Sequence, residues 1–186
     1  MYTHLTQYLS LIFITKTPSY SRTSILYNFS SDNIFRGQCR DPWNEVRIGK
    51  LLEDLDALAG TVSVKHYSDD DIIIKPLLLA AASVDKMVLK KPISINLDLE
   101  ISNAVIWVGR SSIEVQLEAT RSPNESPNAS DSVALTASFI FVAREYRTKK
   151  TAPANRLPPE TEQEKLLFEE AEVRNNLRKR ESEERG

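Results

Sequence analysis

Residues 43–60, WNEVRIGKLLEDLDALAG, constrain this chain more than any other stretch. Leu51, Leu55 and Leu58 recur at i, i+4 and i+7, and Leu52 and Ala59 widen the stripe, so the spacing predicts an amphipathic helix. Glu53, Asp54 and Asp56 crowd three carboxylates into four residues of it. Asp56 follows Leu52 by one turn and precedes Ala59 by three residues, which places it at the edge of the buried stripe. A carboxylate held beside a core is costly unless it is paired or used. Gly60 suits the position just past a helix end, where a left-handed residue is wanted. Residues 61–66, TVSVKH, then alternate with β-branched side chains, the pattern of a strand. The expectation is a helix that feeds directly into a sheet.

Length and charge narrow the class. A chain of 186 residues can bury one proper core and still carry tails. The net charge of −2 gives no global attraction to nucleic acid or an anionic membrane. Cys39 is the single cysteine, which excludes an internal disulfide and fits a reducing compartment. No apolar run approaches the roughly 20 residues that span a bilayer. The N-terminus has a short apolar run, residues 9–14, with no Lys or Arg before it. Residues 16–22 are basic and rich in Ser and Thr with no acid, a weak mark of an organelle transit peptide. The alternative is a poorly ordered N-terminal arm.

Residues 23–30 predict a first strand, and residues 31–43, polar with Gly37 and Pro42, a loop into the helix. Residues 68–71, SDDD, lack the Gly and Glu spacing of a calcium loop and read as a solvated turn. Residues 77–84 form an apolar run that predicts a strand buried on both faces. Lys86, Lys90 and Lys91 precede Pro92, which argues for an edge or a bend. Ile95, Leu97, Leu99 and Ile101 alternate with polar residues, as do Ile113, Val115, Leu117 and Ala119, so both segments predict antiparallel strands with one wet face. Gly109-Arg110 forms the turn between them. Residues 121–132 predict an exposed loop, and residues 133–144 a central last strand, apolar on both faces.

Residues 148–159 hold three prolines and read as a linker. Residues 160–185 are helix-prone, with acids first and bases later, which suits the helix dipole. Their few apolar residues cannot form a core, so this helix docks on the domain or runs toward a neighbour. Glutamates around Arg178-Lys179-Arg180 oppose a nucleic-acid role. The organisation is therefore an N-terminal arm or targeting segment at 1–21, an α+β domain at 22–147, and a linker with a charged C-terminal helix at 148–186.

The order of three motifs carries a resemblance. Gly49-x-Leu51-Leu52-x-x-x-Asp56-x-x-Ala59-Gly60 comes first, Ala82-Ser83-Val84-Asp85-x-Met87-x-Leu89-x-x-Pro92 second, and Trp107-Val108-Gly109-Arg110-Ser111-Ser112-Ile113-Glu114-Val115 third. Together they resemble the hotdog-fold acyl-CoA thioesterases, specifically the first unit of the eukaryotic double-hotdog type in its mitochondrial branch. The entry Asp41-Pro42-Trp43-Asn44-Glu45 is similar to plant members. The resemblance covers residues 22–180 and implies a long central helix wrapped by a curled antiparallel sheet. It implies hydrolysis of fatty acyl-CoA to free acid and CoA, acyl-CoA as substrate with no cofactor or metal, and a mitochondrial or other organelle location. It also implies that two hotdog units pair, by homodimerisation or with a full-length relative, with each site at their interface.

Carried onto this chain, the resemblance makes Asn44 the water-orienting candidate, with an N-cap as the competing reading. Gly49 would let a thioester approach the helix backbone. Asp54 and Asp56 are the candidate catalytic carboxylates, against structural pairing with Arg47 or Lys50. Arg110, Ser111 and Ser112 would meet the CoA phosphates, against a tight hairpin with a solvated Arg. Lys90 is a further CoA candidate, against a wet strand edge. Related members show a Gly-Gly pair with a nearby His where this chain has Ile48-Gly49-Lys50. They also continue into a second unit after the linker helix. A non-catalytic acyl-CoA-binding or dimerisation module is therefore the competing expectation.

Overall fold

The computed structural model describes residues 14–68, 77–121 and 132–184. Four helices are described: α1 Pro18–Ser21, α2 Asn33–Cys39, α3 Ile48–Tyr67 and α4 Glu162–Glu184. Five strands are described: β1 Thr23–Tyr27, β2 Leu77–Leu89, β3 Leu99–Val108, β4 Ser112–Arg121 and β5 Val133–Glu145. They form one curled antiparallel sheet in the order β1-β3-β4-β5-β2. The expected residues 69–71, most of the 121–132 loop and the N-terminal run through residue 13 lie outside the described residues.

The sheet wraps α3. Leu51, Leu55, Ala59 and Val62 are buried along one helical stripe and pack against Ile101 and Val105 of β3, Ile113, Val115 and Leu117 of β4, and Phe139 and Phe141 of β5. Alternation along β3 and β4 puts these residues inward; the strand expected from Ile95 begins only at Leu99, after a turn and bend over residues 95–97. A long helix inside a curled antiparallel sheet is the hotdog fold.

The helix differs from its expected limits at both ends. It starts at Ile48 rather than near Trp43, because residues 43–46 are spent on strand-like pairing. Glu45 bridges Ser94, and the Val46 amide donates to the Ile93 carbonyl at 2.8 Å. It also runs through Gly60 and residues 61–66, where a strand was expected, and ends at Tyr67. Val62, Ser63 and His66 continue the buried stripe, so burial on a helical period outweighs the β preference of Thr and Val. Ser63 satisfies its hydroxyl on the Ala59 carbonyl at 2.7 Å.

Two more expectations change. The 31–43 loop contains α2, N-capped by Asp32, whose carboxylate accepts from the amides of Ile34 and Phe35. β2 is not buried on both faces but is the sheet edge, paired among the described residues with β5 alone and with Leu78, Val84 and Leu89 exposed. Its pairing carries two register shifts, a feature common at edges. β5 lies between β4 and β2, as expected.

The 152–157 segment folds back onto the domain. Ala152, Ala154, Asn155 and Leu157 are buried. Asn155 and His66 exchange hydrogen bonds: Asn155 Nδ2 donates to the His66 carbonyl at 2.8 Å, and His66 Nε2 lies 2.9 Å from the Asn155 carbonyl. Lys16 is also buried, and its ammonium caps the last turn of α3 through the carbonyls of Lys65 and Ser68. α4 docks on the outer face of the sheet, with Ala171, Leu167 and Phe168 against Ile106 and Trp107. Glu114, fully buried on β4, receives Arg174 at 2.7 Å, Asn175 at 3.0 Å and the flank of Arg178 at 3.5 Å. Arg178 also pairs with Asp85 at 2.6 Å. Charge pairing thus supplies the docking that the apolar content of α4 cannot.

Candidate active site

The α2–α3 connection forms the mouth of a cleft of about 730 Å³, lined by Arg40, Asp41, Trp43, Arg47, Ile48 and Leu89 among others. Asp41 organises it. Its Oδ1 accepts from the amides of Trp43 and Glu45, both at 2.8 Å, and its own amide donates to the Glu45 carbonyl at 2.9 Å. That tight loop carries Asn44 at φ 66°, the left-handed region that Asn tolerates best after Gly. Trp43 is turned outward and is 79% exposed.

Asn44 is exposed and does not cap the helix. The N-cap is Arg47, which offers no side-chain acceptor. The amides of Lys50 and Leu51 turn back to the Arg47 carbonyl, so those of Ile48 and Gly49 are left without a helical acceptor at the positive end of α3. Gly49 is exposed, and a Cβ there would meet nothing within 4 Å. Its openness serves no contact among the described residues.

The two aspartates separate. Asp54 is half-buried; it accepts from the Tyr27 hydroxyl at 2.5 Å and lies 3.4 Å from Lys50 Nζ. Its charged partner is Lys50 rather than Arg47. Burial, and then this hydrogen bond, raise the Tyr27 phenol well above its ordinary value. Burial, followed by the Asp54 charge, also pushes the Cys39 thiol up. Asp56 is exposed rather than at the edge of the core, and makes no hydrogen bond or ion pair among the described residues. It shares its helical face with Gly49, seven residues back, and Gly60, four ahead. A Cβ on Gly60 would also meet open space.

The Gly109–Ser112 turn sits at the opposite end of α3. Ser111 accepts from the hydroxyl of Tyr67, the last residue of the helix, at 3.1 Å, and Arg110 accepts from the Ala154 amide at 3.0 Å. A 20-residue helix is about 30 Å long, so Arg110, Ser111 and Ser112 stand roughly that far from Asn44 and Gly49 within one chain. The Arg110 side chain is exposed, beside a cleft of about 560 Å³. Gly109 is required locally, since a Cβ would come within 2.5 Å of the Trp107 ring. Lys90 lines a different cleft, beside α4 on the outer face.

The sequence reading missed Arg40, Asp41 and Arg47 as cleft residues and Tyr27 as the partner of Asp54. The Asp-Pro-Trp-Asn turn signature was a legible signal for the first group. Nothing local marks Tyr27, which meets Asp54 across 27 residues of chain.

No family model matches the chain. Individual proteins do. The chain is 72% identical over 167 residues to acyl-coenzyme A thioesterase 2, chloroplastic, of Humulus lupulus, a match covering 90% of this chain and 38% of that protein. It is 60% identical over 166 residues to acyl-coenzyme A thioesterase 4, mitochondrial, of the same plant, covering 89% and 32%. It is 30% identical over 131 residues to the uncharacterized acyl-CoA thioester hydrolase YkhA of Bacillus subtilis, covering 70% of each. An acyl-CoA hydrolase of Staphylococcus aureus, solved with butyryl coenzyme A and coenzyme A, superposes with a TM-score of 0.73 at 22% identity over 92% of both chains, a likeness of fold. The chain belongs to the acyl-CoA thioester hydrolase family. It spans about a third of the length of the two plant relatives.

Proposed function

We propose that this chain is one hotdog unit of an enzyme that hydrolyses fatty acyl-CoA to free acid and CoA. The observation that carries the reading is Asp56: an exposed carboxylate with no hydrogen bond or ion pair among the described residues, on the same open helical face as Gly49. Side chains on a helix lean toward its N-terminus, so Asp56 leans toward Gly49 and the unsatisfied amides. A thioester carbonyl placed at the helix start receives hydrogen bonds from the Ile48 and Gly49 amides, and these strengthen as the oxygen becomes an oxyanion. Asp56 takes a proton from water as the water oxygen bonds to the carbonyl carbon. The carbon–sulfur bond then breaks, the proton passes to the departing sulfur, and acid and CoA leave.

Asn44, at the mouth, orients the water or the thioester. Asp54 is engaged by Tyr27 and Lys50 and is not the base. Arg40 and Arg47 at the cleft complement the CoA phosphates. Arg110, Ser111 and Ser112 reach the same CoA only if a second unit packs with its helix antiparallel, which brings its turn to this mouth. The partner is a second hotdog unit, from another copy or from a longer relative. The site needs no metal: it uses a carboxylate, amides and water. The names of the plant relatives favour an organelle, chloroplast or mitochondrion, and a fluorescent fusion tests that.

The decisive experiment is thiol release from acyl-CoAs of several chain lengths, with Asp56→Asn beside the parent protein. Release that falls roughly a hundredfold or more in the variant supports the reading. A folded protein that binds CoA but releases no thiol from any substrate overturns it in favour of a binding module.

A further inference from the structure

We propose that Asp54 and Tyr27 act as positioning residues for the mouth of the cleft. Neither lines that cleft. Tyr27, on β1, is 7% exposed, and its hydroxyl donates to Asp54, on α3, at 2.5 Å. The bond fixes the tyrosine ring, which stands edge-on to Phe35 at 5.1 Å and to Phe29 at 5.5 Å. Phe29 in turn stacks on Phe35 at 5.5 Å. Phe35 belongs to α2, and α2 holds the mouth. The Cys39 carbonyl accepts from the Arg47 amide at 2.8 Å, and the Gln38 carbonyl accepts from the Arg47 guanidinium at 3.1 Å.

A continuous path therefore runs from Asp54 through Tyr27 and Phe35 to Arg47, at the entry of α3, and to the loop carrying Trp43. Packing of the ring needs no hydroxyl; phenylalanine would fill the same space. The hydroxyl adds direction, because it ties the aromatic cluster to one turn of α3 and so sets how α2 sits over the helix start. Lys50, 3.4 Å from Asp54, adds a charged partner to the same carboxylate. The kinetic arm of the proposal rests on the acyl-CoA reading; the spectroscopic arm does not.

The test compares Tyr27→Phe, Asp54→Asn and the double variant in the full chain labelled with 5-fluorotryptophan. The chain has two tryptophans, so the ¹⁹F spectrum reports separately on Trp43 at the mouth and on Trp107, buried under α4. Each single variant is expected to shift or broaden the Trp43 resonance and leave that of Trp107 in place. The KM for acyl-CoA rises about tenfold while kcat changes less than twofold. The double variant adds little to either single one, because both break the same bond. Unchanged Trp43 resonances and an unchanged KM overturn the proposal. So do equal shifts at both tryptophans, which mean general loosening. Tyr27→Phe removes a single oxygen and carries the test if Asp54→Asn fails to fold. If the parent protein releases no thiol, the acyl-CoA reading fails and the Trp43 resonance alone decides this one.

Discussion

Arg174 on α4 meets Glu114 on β4 at 2.7 Å, and the glutamate has no solvent exposure. A buried carboxylate is tolerable only when its oxygens are met, and here Arg174 and Asn175 each take one. The pair joins the C-terminal helix to the sheet at the point where apolar contact runs out.

Glu114→Ala is expected to cost about 3 kcal/mol, because it removes the buried carboxylate that Arg174 and Asn175 meet and leaves Arg174 only the longer pair with Glu170. Urea denaturation measures the loss. Hydrogen exchange is expected to rise first over residues 162–184, while α3 keeps its protection.

His66 links stability to pH. Burial, reinforced by the Lys16 charge and opposed by the bond to Asn155, lowers its pKa below the ordinary value. The folded state therefore binds this proton less readily than the unfolded chain. Stability from this residue is full above the unfolded value of about 6.5 and declines as pH falls from there toward the lowered folded pKa. His66→Gln removes that decline; melting temperatures taken between pH 5 and pH 8 show whether the slope flattens.

Gly49→Ala separates stability from activity. A Cβ there meets nothing, and alanine favours a helix over glycine by up to about 1 kcal/mol. The variant is expected to melt at the same or a higher temperature and yet to release thiol more slowly, because the methyl occupies the approach to the helix backbone. Equal activity in parent and variant would remove Gly49 from the site.

Lys16→Met keeps most of the side chain's apolar reach and removes its ammonium. The carbonyls of Lys65 and Ser68 lose a charged donor, so the expected cost is about 2 kcal/mol. Chemical denaturation detects it, and an unchanged midpoint would show that the cap contributes nothing.

The strands β3 and β4 were legible because alternation with a period of two survives wherever one face is buried, and β5 because an apolar run on both faces marks a central strand. The leucines at 51 and 55 announced α3, and the order of its motif and the Gly109-Arg110-Ser111-Ser112 turn announced the family. The end of α3 was not legible. Residues 61–66 have β-branched chemistry, and only the sheet wrapped around them makes a helical stripe of Val62, Ser63 and His66 the better burial. The edge position of β2 was hidden for a related reason: an apolar run signals something to cover it without saying whether the chain supplies the cover.

The sequence by itself determined the alternation of the inner strands, the helix that sits at the centre and the residue types from which a site can be built. The tertiary structure alone decided their roles. Asp54 and Asp56 are two residues apart on one helix, about 200° around its axis. Tyr27 arrives from β1 to claim the first, and among the described residues no hydrogen bond or ion pair reaches the second. Which carboxylate is occupied depends on a contact across 27 residues, and local sequence holds no record of a partner that far away.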